Sequence, residues 1–166
     1  MLIILGGLPG TGKTTIAREL ARRLGAVHVR IDSIEFAIRQ SGVTVVSLDD
    51  AGYRVGYAMA EDNLRLGHTV VADSVNPISI TRRAWLEVAQ RAGVQSIEVE
   101  VVCSDPQEHR RRVESRVADI PGLRLPTWPE VVARQYEPWP TAGLVVDTAQ
   151  RSFDGIVTTL VAALRR

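Results

Sequence analysis

Near its start the chain reads Leu2-Ile3-Ile4-Leu5-Gly6-Gly7-Leu8-Pro9-Gly10-Thr11-Gly12-Lys13-Thr14-Thr15. The run Leu2–Gly6 is apolar and partly β-branched without alternation, the pattern of a strand covered on both faces. From Lys13 onward, Ile16, Leu20 and Leu24 recur every fourth position, with Arg18, Glu19, Arg22 and Arg23 on the other side and Gly25 as a stop. That spacing predicts an amphipathic helix. Between the two elements lies Gly-x4-Gly-Lys-Thr. Glycines let a backbone curl until several N–H groups converge on phosphate oxygens, and the helix start adds free N–H groups and its positive dipole end. Gly7, Leu8, Pro9, Gly10, Thr11 and Gly12 are therefore expected to cradle the phosphates of a nucleotide. Lys13 would place a cation on the β- and γ-phosphates, Thr14 a hydroxyl on Mg²⁺, and Thr15 a contact to the purine-side phosphates. Lys13 is the only lysine among 20 basic residues. A chain that otherwise uses arginine keeps a lysine where a compact charge on a flexible stem is wanted.

The same alternation continues outward from this stretch. Strands are expected at Ala26–Ile31, Thr69–Asp73, Ile97–Cys103 and Leu144–Asp147. Helices are expected at about Asp32–Gln40, Asp49–Leu66, Ile78–Ala92 and Phe153–Leu164, with Ser41–Leu48 as a loop. Asp105-Pro106 starts a basic helix, since Asp caps well and Pro fits the first turn. Thr127-Trp128-Pro129-Glu130 reads as a second capped start, for a short helix to about Tyr136. Five strands alternating with helices predict an α/β fold with a central five-stranded parallel sheet, helices on both faces.

Composition narrows the function classes. At 166 residues the chain is expected to form one domain, and 45% apolar with 23% charged residues is the balance of a folded globule. A net charge of +1 gives no overall basic field for holding long nucleic acid non-specifically, which leaves a local basic groove open. Cys103, the single cysteine, excludes an internal disulfide and a cysteine-based zinc site. No apolar run approaches the ~20 residues of a membrane span, and no signal peptide is recognisable, so a cytoplasmic protein is expected. With no second lysine, a guanine-reading Asn-Lys-x-Asp cannot occur. Length argues against a mechanical ATPase. An acidic residue, Asp32, stands just after the second strand, and an arginine-rich helix comes late.

These features resemble the small P-loop kinases: gluconate, shikimate and adenylylsulfate kinases, chloramphenicol phosphotransferase, zeta toxins and the kinase domain of polynucleotide 5′-hydroxyl kinases. The resemblance spans the whole chain and implies a three-layer P-loop fold with an arginine-bearing helical lid, here at about residues 110–140. It also implies ATP and Mg²⁺ as cofactors. By position, Asp32 matches the acid that contacts the acceptor hydroxyl, with a helix N-cap as its alternative role. Asp73-Ser74-Val75-Asn76-Pro77 with Arg82 is similar to the Asp…Asn-Pro-x4-Arg stretch of the polynucleotide-kinase branch. That similarity makes Asp73, Asn76 and Arg82 candidate substrate residues. Asp73 is also a candidate Mg²⁺ holder with Thr14, or else a turn former. Arg112 and Arg116, which share a face in His109–Arg116, resemble lid arginines that stabilise charge on a transferring phosphoryl group. The glycine-rich shikimate motif and the Asp-Gly-Asp of adenylylsulfate kinases are not found.

Trp128, Tyr136 and Trp139 either line a pocket or form a satellite core. Asp147-Thr148 is a plausible adenine-edge loop on family grounds. The expected activity is transfer of the ATP γ-phosphate to a hydroxyl of a small molecule such as a metabolite, nucleoside or antibiotic, by a monomer or homodimer. Phosphorylation of a nucleic-acid 5′-hydroxyl is the alternative within enzymes, and an ATP-binding switch without an acceptor the alternative outside them.

Overall fold

The computed structural model of the chain describes residues 1–42 and 50–164. Elements alternate as β1 (Leu2–Gly6), α1 (Lys13–Leu24), β2 (Val27–Arg30), α2 (Ile31–Gln40), α3 (Ala51–Arg65), β3 (Val70–Asp73) and α4 (Ser79–Ala92). They continue as β4 (Ser96–Val102), α5 (Pro106–Ser115), α6 (Trp128–Val132), β5 (Leu144–Asp147) and α7 (Phe153–Leu164). The strands form one five-stranded sheet in the order β2-β3-β1-β4-β5, with every pairing parallel. Successive side chains of β1 leave the sheet on opposite sides. Ile3 and Leu5 join Ile16, Leu20, Val157 and Leu160 under α1 and α7. Leu2 and Ile4 join Ala60, Leu64, Trp85 and Val88 under α3 and α4. The sheet is thus covered on both faces, as the unalternating apolar strands require.

Register brings the chemistry to one edge. Leu5 of β1 and Arg30 of β2 both lie opposite Asp73 of β3. The chain from β1 to α1 leaves this C-terminal edge beside the point where the strand order reverses, the usual position for a ligand in a parallel sheet.

Two boundaries differ from expectation. The helix predicted to reach Tyr136 stops at Val132. Beyond it, side chains of β4 and α4 hold the chain: Tyr136 donates its hydroxyl to Glu100, and Arg82 donates to the carbonyls of Glu137 and Pro138. Helix α2 begins directly after β2 with Arg30 in the N-cap position, so Asp32 lies inside the first turn and is not the cap. Residues 43–48 of the expected loop, and Asp49 at the expected start of α3, lie outside the described residues.

Candidate active site

Between β1 and α1 the backbone takes three left-handed or otherwise glycine-only conformations, at Gly7 (φ 136°), Gly10 (φ 88°) and Gly12 (φ 95°). Gly10 has a second constraint. A Cβ there would lie 2.5 Å from Val113 Cγ2, because α5 packs directly on the loop. Thr11 Oγ1 and Lys13 Nζ both donate to the Leu8 carbonyl, at 2.9 and 3.0 Å, closing the loop on itself. The loop is also held from outside: His109 on α5 donates from Nε2 to the Pro9 carbonyl at 2.8 Å, and Thr148 Oγ1 donates to the Thr11 carbonyl at 2.8 Å. Neither clamp was singled out from sequence. The available signal for His109 was its position four residues before Val113 on an otherwise charged helix.

Charge converges on Lys13. The residue is buried, and burial pulls its ammonium down to about 8, against the opposing attraction of Asp73 and then Asp32. The positive charges of Arg116 and Arg134 add to the lowering. Asp73 is 3% exposed and accepts from His28 Nε2 at 3.1 Å. Asp32 is half-exposed at the start of α2, 3.7 Å from Arg30. Arg116 stands just beyond α5; its Nε is buried without a hydrogen-bond partner, and burial lowers its pKa while Asp32 holds it up. Two carboxylates and two arginines thus lie near enough to Lys13 to act on its charge. No three His, Cys, Asp or Glu side chains among the described residues are placed to hold a metal. Asp73, a buried carboxylate at the end of β3, and Thr14, a hydroxyl in the first turn of α1, are oxygen donors of the kind Mg²⁺ takes beside phosphates and water.

Arg112 is engaged elsewhere. Its guanidinium binds Glu108, the Thr148 hydroxyl and the Thr148 carbonyl, and lies 5.5 Å over the Phe153 ring. Phe153 in turn lies against Gly12, 2.5 Å from where a Cβ would be. A cavity of about 350 Å³ opens here, lined by Thr15, Arg18, Glu19, Phe153 and Asp154. Against the expectation that Arg112 faces the transferring phosphate, Arg112 braces the Thr148–Phe153 side, and Arg116 and Arg134 are the arginines whose charge reaches Lys13.

Asn76 and Arg82 also differ from expectation as substrate residues. Asn76 is fully buried at φ 48°, donating from Nδ2 to the Leu5 carbonyl and from its backbone N–H to the Tyr53 hydroxyl. Arg82 is 4% exposed, donates to the carbonyls of Asn76, Pro77, Glu137 and Pro138, and lies near the rings of Tyr136 and Trp139. Arg82 and the Asn76 Nδ2 group are engaged in tying β1, α4 and the 136–139 segment together rather than left open toward the phosphate loop, while Asn76 Oδ1 is buried without a partner. The aromatic residues resolve in the same way. Trp139 is 5% exposed within the core and donates to Glu98, while Trp128 meets His109 edge-on at 5.2 Å.

A family model described as an AAA domain matches residues 2–127. The chain belongs to that family. It is a small P-loop kinase superfamily member, similar over 98% of its length to a shikimate kinase of Frankia casuarinae, with 29% identity across 72% of that protein. A crystal structure of a putative kinase from Chloroflexus aurantiacus superposes with a TM-score of 0.75, at 24% identity over 97% of this chain and 96% of the other. The Mycobacterium tuberculosis APS kinase CysC in complex with AMPPNP and APS gives 0.76, at 19% identity over 99% and 97%. These two structural likenesses carry the P-loop kinase fold for this AAA domain chain.

Proposed function

We propose that the protein is an ATP-dependent phosphotransferase that moves the γ-phosphate to a hydroxyl of a small molecule. Kinase-like phosphotransfer is the coarse activity that its kinship supports. The observation that carries the finer reading is the convergence of Asp32 and Asp73 with Arg116 and Arg134 around the buried Lys13 ammonium. Lys13 and the loop N–H groups bind the phosphates. Asp32 takes the proton of the acceptor hydroxyl as its oxygen attacks the γ-phosphorus in line. The bond from phosphorus to the β–γ bridging oxygen breaks, and ADP leaves. Arg116 and Arg134 balance the charge spread over the transferring group, an electrostatic task that fixed cations perform well in a water-poor site. Thr14 and Asp73 would hold Mg²⁺, which would neutralise phosphate charge when bound.

The segment from about 110 to 140 acts as a lid in a single domain. Its two ends serve different parts of the nucleotide: Arg112 with Phe153 and Thr15 frames the adenine side, and Arg116 with Arg134 the phosphate side. Water exclusion by the lid keeps hydrolysis from competing with transfer. The test is Asp32→Asn. ATP affinity should stay within about twofold while transfer falls roughly 10²–10⁴-fold, the usual worth of a general base. Parallel loss of binding and transfer would make Asp32 a structural residue instead.

A further inference from the structure

Resting on the part of the phosphotransferase reading that seats nucleotide phosphates on the loop, we infer that His109 is a positioning residue of that loop: its ring holds the Pro9 carbonyl so that the Gly10 N–H stays aimed at phosphate. The loop fixes only part of itself. Its Leu8 carbonyl is held from within, by Thr11 Oγ1 at 2.9 Å and Lys13 Nζ at 3.0 Å. The Pro9 and Thr11 carbonyls are held from outside, by His109 Nε2 at 2.8 Å and Thr148 Oγ1 at 2.8 Å. Among the described residues, His109 is the one donor to the Pro9 carbonyl. A carbonyl only accepts, so Nε2 carries the proton of this bond.

Peptide geometry turns that bond into an aim. No peptide bond among the described residues is cis, and in a planar trans peptide the carbonyl of one residue and the N–H of the next point in opposite directions. A Pro9 carbonyl turned toward α5 therefore turns the Gly10 N–H away from it, and Thr148 does the same for the Gly12 N–H through the Thr11 carbonyl. Among the described residues neither N–H donates to a backbone carbonyl, whereas the Gly7 N–H is taken by the Val75 carbonyl at 3.0 Å. The 9–10 peptide cannot hold itself in place. Gly10 sits at φ 88°, and without a Cβ it tolerates the reversed peptide about as readily, so an outside contact decides.

His109 is built into the fold for that contact. Helix α5 is otherwise rich in charge and buries His109 and Val113, one turn apart. Both lie against the loop: a Cβ on Gly10 would be 2.5 Å from Val113 Cγ2 and 3.4 Å from His109 Nε2. Trp128 meets the same ring edge-on, at 5.2 Å. A side chain wanted at 109 for packing alone would be apolar, as at Val113, because a buried polar group costs stability unless it is paired. The pairing that repays this cost is made to the phosphate loop.

Calorimetric titration of Mg·ATP and of inorganic tripolyphosphate tests the inference on the wild-type chain and on His109→Leu, His109→Asn and His109→Gln, each well below its thermal midpoint. Leucine keeps bulk and removes the donor, asparagine keeps an amide too short to reach Pro9, and glutamine carries an amide N–H about as far out as Nε2. His109→Leu and His109→Asn should raise both Kd values by about tenfold or more, the loss expected for a hydrogen bond to a charged group. His109→Gln should stay within about threefold of wild type. Kd values unchanged in His109→Leu, or in His109→Asn where the leucine variant does not fold, overturn the inference. So does His109→Gln as weak as His109→Leu, which would make the ring a packing residue, and so does weakened ATP binding with tripolyphosphate unchanged, which would move the effect off the phosphates. Failure of the wild-type chain to bind either ligand contradicts the reading of the loop as a phosphate site and removes the inference with it.

Discussion

Lys13 couples nucleotide binding to protons. Burial depresses its folded-state pKa to about 8, well under the value of a free lysine, and an arriving polyphosphate must push it back up. The sign follows directly. Below about pH 8 the ammonium is charged before and after binding; between about 8 and 10 ATP binds with uptake of up to about one proton. Titration calorimetry near pH 8.5 in buffers of differing ionisation enthalpy should reveal this uptake, and near pH 6.5 it should be close to zero. The same shift makes the folded chain gain stability as pH rises through that window, because the unfolded lysine holds the proton the folded one releases. Lys13→Ala should reduce ATP turnover by about 10²-fold or more, as loss of a fixed cation at transferring phosphate implies. Asp32 offers a contrast at this scale. The sequence allowed it to be a cap or a base, and only the register of β2 into α2, with Arg30 in the capping position, separates the two.

At the scale of elements, α5 and the chain just beyond it divide their arginines by task, which no spacing rule could reveal. Arg112 and Arg116 are four residues apart and read as equivalent, yet Thr148 and Phe153 capture the first while the second remains near Lys13. Arg116→Ala should therefore lower kcat by roughly 10²-fold with little change in ATP affinity. Arg112→Ala should do the reverse, raising the Kd for ATP with a smaller effect on kcat. Steady-state and binding measurements on the two variants, side by side, separate these patterns. Arg82 makes a different point about α4. Its similarity to a substrate-binding motif was legible, but not its burial under the 136–139 segment, which becomes neighbour to α4 only through folding. Arg82→Met should cost on the order of 3 kcal/mol, because buried carbonyls of Asn76 and Pro138 lose their donor. Denaturant titration checks that figure.

Across the whole molecule, much was written in local pattern: five apolar strands, the glycine loop between β1 and α1, and the Asp105 and Thr127 helix starts. Strand order and the far-apart partners of the site were not. His109 reaches Pro9 across 100 residues and Thr148 reaches Thr11 across 137, contacts that a period of two or 3.6 residues cannot encode. The segment after α5 is joined to the body through Asp119, which pairs with Arg30 and with Arg18. Arg30 hydrogen bonding holds the Asp119 carboxyl at about 2. If the segment is the lid we propose, this pairing limits its opening, so Asp119→Asn should speed limited proteolysis within residues 116–135, and a non-hydrolysable ATP analogue should slow it again. The central claim is that phosphate leaves ATP for an organic hydroxyl and not for water. Phosphorus NMR of the protein with Mg·ATP and a dialysable cell extract tests it most directly. The account predicts growth of a phosphomonoester signal matched to ADP, absent with Asp32→Asn; ADP accompanied only by inorganic phosphate would contradict it.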